Sequence, residues 1–352
     1  MAITSQPAKA HAPLSSSSYI LQCPPVMRYS DVPFRFKATR FTSTAPANRV
    51  TGASTLNLLL TCAISGNAEW WVPFLRRLFE AQRDSLVRIG TAWVVEAPNH
   101  GDGAVLNEVL LTSQYKEVFP VAQYGVAIKA LFKSPNMLPG DRTNLVALSH
   151  SAGAAALMFA LTTSDLRSQF SSIFVIEGTE IPPDYLGHLA HHVSVYKTYN
   201  AGRPARWASL GEGVRFLSTH APWKSFHPEA FDLLCRTYFR TTESGDVVTK
   251  TPLEQESATW ADFESTPEFV RRLEAATSVI PVYILIGGVR KFWSRDLEKA
   301  LALEHQKLQR QGATLISIDG AGHYIPQEKP DELSRAILDI LVQMPIASRA
   351  ML

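Results

Sequence analysis

The residues of this chain that carry the most chemistry lie in one turn, Ser149-His150-Ser151-Ala152-Gly153, inside the stretch NLVALSHSAGAAALMFAL. A serine hydroxyl is a poor nucleophile until a base takes its proton, and the base needs an acid to fix its tautomer. The order small-x-Ser-x-small suits a sharp turn from a strand into a helix, where the positions two before and two after the nucleophile must be small. Ser149 and Gly153 fill those positions, so Ser151 is the expected nucleophile. Backbone N–H groups at the head of the next helix favour developing negative charge, and Ala152 N–H is one expected oxyanion donor. A second is expected from Ala63 or Ile64, after the strand LLLTCA. His150 is the spacer, expected to point away from the nucleophile while contributing to the pocket.

The base should follow in the chain order serine, acid, histidine. SIDGAGHYIPQEKPDEL puts His323 in a Gly-rich loop between a strand and a helix starting near Pro330. Three carboxyls compete for the acid. Glu177 ends the strand in SSIFVIEGTEIPP, Glu180 follows it, and Asp296 lies beyond VYILIGGVRKFWSR, where Arg290 occupies the more usual acid slot. Glu177 is favoured; Asp296 is also placed to cap a helix.

Such a site needs a sheet to present it. STLNLLLTCA, TAWVVEAPNHGDG, TNLVALSH, SSIFVIEG, VIPVYILIGG and TLISIDG read as buried strands, with helical spacing between them. That alternation predicts a mostly parallel sheet flanked by helices on both faces. RFKATRFTS (Arg35–Ser43) alternates like a solvated edge strand. Residues 184–276 break the rhythm and read as a helical cap over the carboxyl edge of the sheet, where open α/β sheets bind ligands. The expected organisation is a disordered tail over 1–17, a core over 18–183 and 277–346, the cap between them, and a tail over 347–352.

Composition narrows the function classes. A net charge of +2 across 352 residues, without a basic stripe, argues against nucleic-acid binding. Three scattered cysteines give neither a disulfide framework nor a zinc site and suit a reducing, intracellular and cytoplasmic setting. The N-terminus lacks the apolar core of a secretory signal, and no apolar run is long enough to span a membrane. The final AML is a weak echo of the peroxisomal SKL.

EAPNHGDGAVLN (Glu96–Asn107), SGNAEWWVP (Ser65–Pro73) and TKTPLEQESATW (Thr249–Trp260), together with Ser151 and His323, resemble a group of fungal α/β-hydrolases. That group includes the AK-toxin and AF-toxin biosynthesis hydrolases and the yeast peroxisomal lipase. The likeness spans about residues 18 to 345 and rests on Glu69, Trp71, Pro73, Lys250, Pro252 and Glu256 besides the Asn-His-Gly-Asp loop. Cys62, Ser65 and Ala68 depart from the group's usual His, Gly and Lys. The resemblance implies the α/β-hydrolase fold with a lid and a place in secondary metabolism. An acid after the earlier strand has precedent in haloalkane dehalogenases of this fold, which supports Glu177.

The expected substrate is an ester or thioester of an apolar, polyketide-like or fatty acyl group, needing no metal and no cofactor. Release by transfer or lactonisation from a carrier-protein thioester is an alternative, with Arg203, Arg206, Arg215 and Lys224 as a candidate docking patch. A non-catalytic binding protein is the contrasting class. Asn99, His100, Trp223, Phe226 and Trp260 join His150 as expected pocket residues, with Asp102 bracing Asn99 and His100. Trp207 and Phe216 add to the aromatic character of the cap. Neither His100 with Asp102 nor His188, His191 and His192 is expected to hold a metal.

Overall fold

The computed structural model describes residues 14–26, 31–44, 50, 53–161 and 164–344. The expected C-terminal tail, with its AML ending, lies outside these residues, as do the first thirteen positions of the expected N-terminal tail.

The chain runs β1 (Leu14–Cys23), β2 (Phe34–Ser43), β3 (Ser54–Thr61), α1 (Val72–Ala81), β4 (Val87–Val95), α2 (Gly101–Leu106), α3 (Glu108–Gln114), α4 (Val121–Lys133), β5 (Leu145–His150), α5 (Ala152–Ala160), α6 (Ser164–Gln169) and β6 (Phe170–Ile176). The insert then brings α7 (Leu186–Ala201), β7 (Arg206–Trp207), α8 (Leu210–Thr219), α9 (Pro228–Thr237), β8 (Phe239–Thr241), β9 (Val247–Thr249), α10 (Leu253–Trp260) and α11 (Thr266–Thr277). The chain returns through β10 (Val282–Gly287), α12 (Arg295–Arg310), β11 (Thr314–Ile318), α13 (Ile325–Glu328) and α14 (Pro330–Gln343).

Eight strands form one sheet in the order β1-β2-β4-β3-β5-β6-β10-β11. From β4 to β11 neighbours pair in parallel, while β1, β2 and β4 pair antiparallel. Strands covered on both faces read as continuous apolar runs, and alternate residues part to opposite sides. Leu59, Ala147 and Val175 face α4, α5 and α11, whereas Leu58, Leu60, Leu148 and Ile176 face α1 and α14.

Three expectations change. Leu14–Ser17, read as tail, begin a strand, and β1 pairs with β2 along its full length, so β2 is not an edge. Serines mask β1, yet Tyr19, Leu21 and Cys23 alternate onto the core. The insert is not purely helical: β7, β9 and β8 form a small antiparallel sheet. Its last helix, α11, sends Phe269, Val270, Leu273 and Ala276 into the core beside α5. Each large apolar side chain there contributes roughly 1.5–3 kcal/mol by burial, so α11 is anchored to the sheet rather than to the insert.

Candidate active site

The centre of the site is a turn that the sheet forces. β5 ends at His150, and Ser151 adopts φ +54 and ψ −124, a conformation that costs a non-glycine residue roughly 1–3 kcal/mol. Its N–H donates to the carbonyl of Ile176 at 3.0 Å. Gly153 has no room for a side chain: a Cβ there would lie 2.5 Å from Thr61 Oγ1 and 2.8 Å from the Cys62 carbonyl. Ser149 is fully buried in register with Thr61.

Two loops bring the partners of Ser151. His323 follows β11 and places Nε2 at 3.0 Å from Ser151 Oγ and Nδ1 at 3.0 Å from Glu177 Oε2. Glu177, at φ +48 just past β6, donates its N–H to the Leu285 carbonyl at 2.8 Å. Its Oε1 accepts from Gly287 N–H at 2.6 Å and lies 3.5 Å from Arg290 Nη1. Gly287 must be glycine, because a Cβ would sit 2.4 Å from the Gly322 carbonyl of the histidine loop. Burial pushes the Glu177 carboxyl up, but His323, the Gly287 N–H and Arg290 outweigh it and hold the group below its ordinary value. An ionised Glu177 accepts from Nδ1–H, which leaves Nε2 free to accept the Ser151 proton.

The other candidate acids are engaged elsewhere. Asp296 is exposed in the first turn of α12, 3.5 Å from His188. Glu180 is buried against His305 Nε2 at 3.2 Å.

A cavity of about 60 Å³ opens over Ser151, lined among others by Ile64, Ala152, Thr179, Leu189, Thr259 and Trp260. Of the six pocket residues expected from sequence, only Trp260 lines it. Asn99 and His100 stand behind the lining, both reaching Thr259 Oγ1, at 2.8 and 3.4 Å. Trp223 and Phe226 pack instead with Trp207 and Tyr238 of the insert and with Trp70 from before α1, in a cluster that Phe216 covers. His150 points away from the cavity, its Nε2–H donating to the His323 carbonyl at 2.9 Å. Burial lowers the His150 pKa to about 3, so the ring is a neutral strut between nucleophile strand and histidine loop.

Of the expected oxyanion residues, Ile64 and Ala152 border the cavity with Ser151. Ala63 is buried one position back, and its carbonyl accepts from Gly66 N–H at 3.0 Å. The loop is pinned at both ends. Cys62 N–H donates to Tyr124 Oη at 2.8 Å, and Ser65, at φ +63, donates its hydroxyl to Glu256 Oε1 at 2.5 Å. Burial pushes the Cys62 thiol well above its ordinary value, which makes it an inert core residue.

One contact had no clear sequence signal. Phe292, in the loop after β10, stacks face to face on His323 with centroids 4.0 Å apart and planes 6° from parallel. Arg290 in the usual acid slot was the hint that this loop had been put to other use.

Two ionic networks seat the surrounding loops. Lys37 contacts Glu69 at 2.8 Å, Asp102 at 2.9 Å and Glu96 at 3.4 Å, and Lys250 binds Asp102 at 2.6 Å. Asp102 therefore braces strand β2 and the insert, not Asn99 or His100. Arg203 forms a buried pair with Glu256 at 2.6 Å, and Arg206 pairs with Asp246. Arg203 is therefore not free for a docking patch, whereas Arg206, Arg215 and Lys224 are exposed. Among the described residues no three metal-ligating side chains cluster, and no helix is long and apolar enough to cross a membrane.

A search of curated protein sequences found no match. Solved structures share the fold. The peroxisomal alpha-beta-hydrolase Lpx1 of Saccharomyces cerevisiae superposes with a TM-score of 0.72 at 16% identity, over 98% of this chain and 93% of that one. A thioesterase domain from the curacin biosynthetic pathway gives 0.60 at 11% identity, over 92% of this chain and 99% of that one. A thermophilic esterase from Thermogutta terrifontis gives 0.54 at 14% identity, over 93% and 99%. The sequence profile of the alpha/beta hydrolase family matches residues 58–336, which include the elbow, both partner loops and the insert, and the chain belongs to that family.

Proposed function

We propose that the protein is a serine hydrolase that cleaves an ester or thioester of an apolar acyl group through an acyl-enzyme. The observation that carries this reading is the unbroken chain Ser151 Oγ–His323–Glu177 under a cavity, with both links at 3.0 Å. His323 Nε2 takes the hydroxyl proton as Ser151 Oγ attacks the carbonyl carbon. Ala152 N–H and an N–H of the loop at Ile64 hold the oxyanion, and Glu177 stabilises the imidazolium. The imidazolium then protonates the leaving alcohol or thiol. Water enters, gives its proton to His323, and releases the acid as Ser151 recovers its own. The insert up to α10 serves as a lid, since its Trp260 and Thr259 roof the cavity. The likeness to toxin-pathway hydrolases supports a polyketide-like or fatty acyl chain in secondary metabolism. The free thiols Cys23, Cys62 and Cys235 support an intracellular setting.

Intact mass after reaction with a fluorophosphonate tests the reading. One adduct on the wild type, absent from Ser151→Ala and His323→Ala, is the expected result. A wild type that gains no mass overturns it in favour of a binding protein.

A further inference from the structure

Among the described residues that line the cavity, Asp262 alone has a charged side chain. It lies between α10 and α11, on the same cavity wall system as Ser151. One of its oxygens is fully engaged: Oδ2 accepts the Val121 N–H at the head of α4 and the Ser265 hydroxyl, each at 2.7 Å. Those two bonds fix the plane of the carboxyl group. The other oxygen, Oδ1, accepts no hydrogen bond from any described residue, and it is not among the buried unpaired atoms, so it remains open. The remaining lining is apolar or hydroxylic: Leu189 and Phe269 are apolar, and Thr179 and Thr266 offer hydroxyls. A carboxylate oxygen with no protein donor, on a residue that lines the cavity, can recognise a donor on the ligand, and a ligand without one leaves it unpaired.

We propose that the acyl group taken by this site carries a hydroxyl on its chain, which donates to Asp262 Oδ1. This deepens the reading of Ser151 as the acylated residue and rests on it. An acyl chain ending in carboxylate is disfavoured, because no lining residue is a cation. An ammonium would also meet the carboxylate, but its own desolvation offsets more of the gain than a hydroxyl's does; an ammonium-terminated amide bound tighter than the hydroxyl form on wild type overturns the proposal. Burial, more than the neighbouring Glu264, raises the Asp262 carboxyl above its ordinary value despite its two donors.

Binding of linear acyl amides of increasing length, each unmodified, hydroxyl-terminated, ammonium-terminated or carboxylate-terminated, is measured by calorimetry on wild type, Ser151→Ala and Asp262→Asn. At the matching length the hydroxyl form binds roughly tenfold to a hundredfold tighter than the plain amide in wild type and Ser151→Ala. In Asp262→Asn, which keeps an oxygen for Val121 and turns an amide N–H to the cavity, that preference vanishes and the carboxylate form gains. No preference at any length on wild type, or a preference that survives Asp262→Asn, overturns the proposal. Should Asp262→Asn fail to fold, the wild type still decides: a carboxylate bound as well as the hydroxyl sinks it. Turnover of the corresponding esters is read separately, so that a binding preference without turnover removes the nucleophile and leaves Asp262 standing.

Discussion

The candidate triad and the seat of the insert are built from different materials. At the triad, backbone does the positioning: Ser151 N–H meets Ile176, Glu177 N–H meets Leu285, and Gly287 N–H holds the Glu177 carboxylate. At the insert, side-chain charges do much of it: Arg76 and Arg77 with Glu229, and Lys250 with Asp102. A backbone ladder fixes atoms to the sheet whatever the neighbouring side chains are. A charge pair fixes two surfaces only while both partners are present. The triad is therefore rigid by construction, and the insert is fastened by a few removable links.

The sharpest break of this contrast is chemical. Glu177→Gln keeps the shape but disturbs the histidine tautomer, and kcat should fall roughly 10⁴-fold, far out of proportion to the loss of melting temperature. Asp296→Asn, remote and exposed, should leave kcat unchanged. Near-normal turnover in Glu177→Gln would move the acid role elsewhere.

The insert should respond in stability instead. Glu256→Ala strands the buried Arg203 and removes the acceptor of Ser65. Urea denaturation should show a loss of roughly 3–5 kcal/mol, most of it recovered when Arg203→Met is added. A loss confined to a few tenths would mean that the apolar core of the insert carries its seating alone.

Acid should weaken both regions. Burial lowers the pKa of His150 to about 3 and of His100 to about 4, both from an ordinary 6.5. Below that ordinary value the unfolded chain binds the additional protons, so stability falls as pH drops from about 6.5 toward each folded value. Each ring adds a slope on the order of 1 kcal/mol per pH unit. The depressed Glu177 acts in the same direction: its contribution is full above the ordinary carboxyl value and is lost as pH falls through its folded one. Urea midpoints between neutral and mildly acidic pH should shift less in His150→Asn, and an unaltered shift would remove that ring from the account. The smallest effect is expected at Phe292, where Leu should lower kcat by the worth of one aromatic contact, about 0.5–1.5 kcal/mol, and Trp should restore it.

Sequence exposed what local sterics demand. The small residues around Ser151 and the strand-to-helix switch announce the turn, because no other arrangement of those residues suits so tight a bend. His323 was legible from its glycines and from the helix that follows. Glu177 could be favoured but not separated from Glu180 and Asp296, since their distances from His323 depend on three loops meeting. Trp223 and Phe226 misled because an aromatic in an insert packs as readily against its seat as into a pocket. Strand β1 was hidden by four serines whose exposed face needs nothing apolar. Phe292 on His323 and Arg203 on Glu256 had no local pattern at all; only the folded chain brings them together.

Ser151 and His323 stand 172 positions apart, and Glu177 and His323 146 apart. The chain is synthesised from its N-terminus, so Ser151 and Glu177 leave the ribosome long before His323. His323 arrives only when β11 closes the far edge of the sheet, a contact of high sequence separation that is slow to form. A chain cut before β11 thus carries Ser151 and Glu177 without the imidazole that joins them, and the proposed hydrolysis would be the last property the folding molecule acquires.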